Sequence, residues 1–206
     1  MMLIFIYIKT NNTMKILKFR YIYKTDPYDL QYNDGSAWSR CYEYKFVTDF
    51  LLMDKDIKKK SIHNTCWGFE GVHVKFKNSL EIICDNVINS DIRVSNIPNT
   101  IYHDITEDVE EFHDKFDYVL NVSTLEHINT KHDLLILNQL KQVKIGGYLI
   151  ITFDFPDGSQ GLNVDEVESG FNIKIENDGE ILNGINSIVK NDRYSNLNCG
   201  CLIIQK

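Results

Sequence analysis

The sequence predicts an α/β protein built on a mostly parallel sheet. Tyr118–Leu120 and Tyr148–Phe153 are nearly continuous apolar runs, which suits strands covered on both faces better than the alternation of a half-wet antiparallel sheet. Between them Thr130–Val143 fits a helix. Thr130 and Asp133 form a capping-box pattern, Leu134, Leu137 and Leu140 recur at helical spacing, and Gly146 falls just past the end, where a left-handed cap is cheapest. The result is a strand-helix-strand unit. Open parallel sheets bind ligands outside the carboxyl ends of their strands, so Asn121–Thr124 and Asp154–Asp157 are the first places to look for a site.

Further elements follow from the amino end. Residues 1–33 read as an N-terminal extension or an edge strand, with Met1 and Met14 both plausible starts. Met1–Ile8 is apolar but too short to span a bilayer. Residues 34–206 read as a single domain, since a chain of 206 residues fits the usual scale of roughly 100–200 residues per domain. Ser36 is a good helix cap, and Trp38, Tyr42, Phe46, Val47, Phe50 and Leu51 follow at spacings near three and four, giving an amphipathic helix over 37–53. Trp38, Tyr42 and Tyr44 read as core or as a lid over a substrate, whereas Arg40 and Glu43 read as solvated. Lys60–Glu81 has room for a short strand, a glycine-containing turn and a crossover helix. Val87–Asp91 reads as a strand ending in a carboxylate, and Thr100–Thr106 as another running into Asp104. Phe171–Ile175 and Gly184–Val189 are candidates for a sixth strand, and Asn198–Gln205 for a terminal one.

Composition narrows the function. The net charge of −7, with no basic run longer than Lys58-Lys59-Lys60, disfavours a nucleic-acid or anionic-membrane partner, because phosphate neutralisation supplies most of such affinity. Five cysteines without a CxxC pair leave one unmatched in any disulfide scheme, which favours a reducing, cytoplasmic setting. Cys199 and Cys201 read as small core residues, and the dispersed histidines His63, His73, His103, His113 and His132 form no metal pattern. Nothing sets an oligomeric state.

FDYVLNVSTLEHI (residues 116–128), a polar-capped helix and then GGYLIITFD (146–154) resemble the fourth and fifth strands of class I S-adenosylmethionine-dependent methyltransferases, closest to the small-molecule, type 11 kind. The resemblance implies a Rossmann-like, doubly wound, seven-stranded sheet with a terminal antiparallel strand. It also implies S-adenosyl-L-methionine as cofactor and a small-molecule acceptor. The glycine-rich loop departs from the family pattern: Asn64 stands in place of the usual acid, Cys66 on the first glycine, Gly68 on the second, and Glu70 on the third with Gly71 after it. Asp91 lies about twenty residues beyond Gly71, where nucleotide-binding sheets place an acid for the ribose hydroxyls. By the resemblance Asp104 contacts the adenine amino group, and Asn121 and Val122 lie below the sulfonium.

Methyl transfer to oxygen or nitrogen benefits from a base. His127, which titrates near neutrality, is the candidate with Glu126 beside it; the alternative is that the Leu-Glu-His turn buttresses the loop. Asp154 and Asp157 border the expected acceptor pocket. A catalytically silent binding or scaffold protein is the competing expectation, motivated by the altered loop, and a nicotinamide-binding protein is disfavoured by the lack of GxGxxG.

Overall fold

The computed structural model describes residues 15–22, 26–32, 39–68, 71–93, 96–156, 169 and 197–206. Their centre is a sheet in the order β1-β7-β6-β5-β2-β3-β4. Its strands are β1 (Lys15–Tyr21), β2 (Ser61–Thr65), β3 (Asn86–Asp91), β4 (Thr100–Tyr102), β5 (Phe116–Val122), β6 (Val143–Pro156) and β7 (Leu197–Gln205). Strands β2 to β6 run parallel, and β7 is antiparallel to both of its neighbours, β6 and β1. The predicted Rossmann-like α/β sheet with a terminal antiparallel strand is therefore present. Beside β7 the edge belongs to β1; the expected sixth strand near 171–189 lies outside the described residues.

Three helices, α1 (Arg40–Leu52), α2 (Gly71–Ile83) and α3 (His132–Gln142), cover the sheet because successive strand residues point to opposite faces. On one face Tyr118, Leu120 and Ile150 meet Tyr44, Val47 and Leu51 of α1 and Val72, Phe76 and Leu80 of α2. On the other, Val119, Leu149 and Ile151 meet Leu135, Ile136 and Leu140 of α3. Apolar runs without alternation are what such double coverage requires.

Around α3 the local signals are used differently from expectation. The helix begins at His132, with Lys131 in the cap position and no side-chain cap bond. Thr130 belongs to the preceding turn, its N–H bonded to the Ile128 carbonyl, and Asp133 accepts from the Leu134 N–H instead of closing a capping box. Leu134 is exposed, since the buried stripe is Leu135, Ile136, Gln139 and Leu140. Gly146 does take a left-handed φ of +83°, but it does so inside β6, which α3 enters directly at Val143. Asp117 behaves as a backbone partner, accepting from Ser61 N–H at 2.9 Å. Among the described residues no helix is long and apolar enough to cross a membrane, and no cluster of His, Cys, Asp or Glu is placed to hold a metal.

Candidate functional site

At the carboxyl ends of β2 and β5, beneath the start of α1, lies a cavity of about 180 Å³. Its wall includes Asn64 and Gly68 after β2, Val122 and His127 after β5, and Arg40 and His73 from the two helices. A larger cleft of about 490 Å³ opens at the opposite, amino-terminal edge. There the charges satisfy one another: Lys144 pairs with Asp117 at 2.9 Å, and Lys60 stands 3.8 Å from both Asp54 and Asp117. Parallel sheets bind ligands at the carboxyl edge, which makes the smaller cavity the candidate site.

The turn between β2 and α2 is tightly wound, with left-handed backbone at Cys66 (φ +52°), Gly68 (φ +90°) and Gly71 (φ +49°). Asp91, nearly buried at the end of β3, accepts from the Gly68 N–H at 3.3 Å with one oxygen, and from the Arg93 N–H and Nε at 3.0 and 3.2 Å with the other. Asp104 lies two residues past β4, which ends at Tyr102, and accepts from the N–H and hydroxyl of Thr106. Burial, then the charges of Asp91 and Asp104, push the Cys66 thiol up to about 12. Cys66 is thus a protonated thiol, not a nucleophile.

The other expected site residues fall in three places. Asn64 lines the cavity while its amide donates to Asn89 Oδ1 at 2.9 Å. Asn121 is fully buried, and neither polar atom of its side chain has a hydrogen-bond partner. Glu126 is buried in the short turn Leu125–His127, whereas His127 is exposed at the cavity wall. Partial shelter and the nearby Arg40 charge lower the His127 pKa, so the imidazole is neutral at ordinary pH. Gly71 is exposed at the start of α2. Asp154 pairs through its backbone with Cys199, and Asp157 lies outside the described residues.

A chain of polar groups that sequence reasoning missed crosses the same cavity. Glu43, expected in solvent, is 0 % exposed. Its carboxylate accepts from Ser39 Oγ at 2.6 Å, from Ser123 Oγ at 2.5 Å and from Arg40. Burial raises its pKa, but Arg40 and the two hydroxyls outweigh that and hold it below the usual carboxylate range. The Tyr44 hydroxyl, which feels the Arg40 charge, meets His73 Nδ1. Burial raises the Tyr44 pKa, so the phenol keeps its proton. A signal existed: Arg40, Glu43, Tyr44, Val47 and Leu51 share one helical stripe. Their charge masked the stripe's inward orientation.

No protein-family model matches the sequence, and no curated protein matches it. Solved structures do share its fold. A provisionally assigned Haloferax volcanii methyltransferase, in complex with the Trm112 methyltransferase activator, superposes with a TM-score of 0.55 at 8% identity, over 87% of this chain and 97% of that one. The 1,6-didemethyltoxoflavin-N1-methyltransferase of Burkholderia thailandensis, bound to its namesake ligand and S-adenosylhomocysteine, gives 0.53 at 10% identity, over 86% and 84%. A provisionally assigned sarcosine dimethylglycine methyltransferase from Galdieria sulphuraria gives 0.52 at 10% identity, over 79% and 84%. The fold of this chain is that of the class I S-adenosylmethionine-dependent methyltransferases.

Proposed function

We propose that this protein is an S-adenosylmethionine-dependent methyltransferase acting on a small-molecule acceptor. The observation that carries the reading is the Asp91 carboxylate at the end of β3, bonded to the N–H of Gly68 in the left-handed turn. Carboxylates beside a turn that admits close backbone approach are what nucleoside recognition at this sheet edge requires. Asp91 would receive the ribose hydroxyls and Asp104 the adenine amino group. Asn64, Gly68 and Gly71 would form the passage between them, and Val122 the wall beyond. Asn121, buried one residue before the lining residue Val122, keeps a side-chain amide with no hydrogen-bond partner.

When bound, S-adenosylmethionine supplies an electrophilic methyl group. The chain's own share is to position an acceptor and to take its proton. His127, neutral and at the wall, is suited to remove that proton, with Glu126 buried in the same turn. The described lining contains no carboxylate and presents Arg40, His73 and His127. The small-molecule ligand of the Burkholderia thailandensis structure supports an acceptor of that kind.

Calorimetry with S-adenosylmethionine, S-adenosylhomocysteine and NAD tests the reading. Saturable binding of both sulfur nucleotides and none of NAD is expected, with Asp91→Ala weakening S-adenosylhomocysteine about tenfold or more. Absence of sulfur-nucleotide binding to the intact protein would overturn it.

A further inference from the structure

Small-molecule sites usually enclose roughly 300–1,000 Å³, and this cavity measures about 180 Å³. A nucleoside enters only if part of the wall moves. One contact spans the cavity: the Tyr44 hydroxyl of α1 is bonded to His73 Nδ1 of α2, and both residues line the space. The His73 ring is pressed onto the turn, for a Cβ at Gly68 would lie 2.8 Å from its Cδ2 and 3.0 Å from its Cγ. The room that glycine leaves at the turn is filled by imidazole.

The two partners differ in burial. Tyr44 is buried and stacks flat on Phe76, ring centroids 3.9 Å apart and 7° between planes, with the Arg40 charge close by. Arg40 is anchored in turn through Glu43 to Ser123 beyond β5. His73 is half-buried on the first turn of α2. A change of its χ1 rotamer would lift the ring from Gly68. A latch in which the Tyr44 hydroxyl donates to His73 Nδ1 puts the imidazole hydrogen on Nε2.

We propose that the Tyr44–His73 hydrogen bond is a latch over the cofactor turn, and that His73 swings off Gly68 to admit the cofactor. This rests on the cofactor reading above and adds to it how the site opens. The latched form binds nothing, so apparent affinity scales with the open fraction. One ordinary hydrogen bond makes that fraction about fivefold smaller than it would otherwise be.

Tyr44→Phe keeps the stacked ring and removes only the hydroxyl. Stopped-flow and calorimetry with S-adenosylhomocysteine should show faster association and about fivefold tighter binding than wild type. Unchanged or weaker binding overturns the latch, the latter by showing that the hydroxyl serves the ligand directly. A second measurement needs no cofactor: nitrogen-15 NMR of the free protein should show the Nε2–H tautomer of His73 in wild type and its loss or mixing in Tyr44→Phe. Identical His73 spectra overturn the latch by themselves. If the spectra differ but neither protein binds S-adenosylhomocysteine, the cofactor reading falls and the gate with it.

Discussion

Glu43 costs the most to disturb, because its charge is fully buried and three donors are arranged around it. Glu43→Ala leaves Arg40 without its carboxylate and Ser123 without its acceptor. Urea unfolding should show a loss of about 3 kcal/mol, the lower end for breaking a buried pair, and a melting point lower by roughly 6–12 °C for a chain of this size. His63 governs behaviour in acid. Its Nδ1 meets Gln142 Oε1 and its Nε2 meets Ser90 Oγ, each at 2.8 Å, and burial lowers its pKa to about 3. The unfolded chain takes up a proton there below about 6.5 whereas the folded one does not. Stability therefore falls as pH drops from about 6.5 towards 3, by about 1.4 kcal/mol per unit from this group, and levels off below. Glu43 adds its own loss only at more acidic pH, since its folded pKa is depressed. Stability measured between pH 7 and 5 should fall less steeply in His63→Gln. Neither residue's role was legible in sequence: the partners Ser123 and Gln142 lie 80 and 79 positions away, beyond what a helical or strand period can reveal.

At the scale of elements, strands announced themselves better than helix ends. Doubly covered strands favour apolar residues, so β5 and the middle of β6 read directly from composition, whereas β2 buries His63, Asn64 and Thr65. Caps depend on which of several nearby groups reaches an open N–H, and at α3 the expected Thr130 loses to the geometry of the turn before it. The glycines of β6 give a sharp test. A Cβ on Gly147 would lie 2.5 Å from the Asp117 carbonyl oxygen of β5, whereas one on Gly146 meets nothing within 4 Å and suffers only its φ of +83°. Gly147→Ala should cost about 2 kcal/mol through backbone that cannot yield, and Gly146→Ala about 1 kcal/mol through strain alone. Equal losses by thermal unfolding would contradict the close approach of β6 to β5. The site was legible in the same uneven way. Asp91 ends β3, and Asp104 and His127 follow β4 and β5 within a few residues, where the sequence pattern marks them, but Tyr44 and His73 meet only because α1 and α2 lie side by side.

On the scale of the molecule, β1 is an integral part of the sheet. It pairs with β7 from Lys15–Gln205 to Tyr21–Gly200, so a chain begun at Met14 retains the whole strand. We expect such a chain to melt like the full one. A chain begun at Ile22 leaves β7 as an open edge, a template for pairing with other molecules. Light scattering should find it associated at concentrations where the Met14 form is monodisperse. Sequence reading left 1–33 as extension or edge strand because a strand's place in a sheet depends on a partner that proximity along the chain does not supply.

That pairing also sets an order of events during synthesis. β1 is made before every other strand of the described sheet, yet its neighbour among the described residues begins at Leu197. At roughly 5–20 residues per second, β1 waits about 10–35 s for it. Throughout that interval the nascent chain carries an unmatched strand, and the last nine residues to be translated within the described sheet close it from both sides at once.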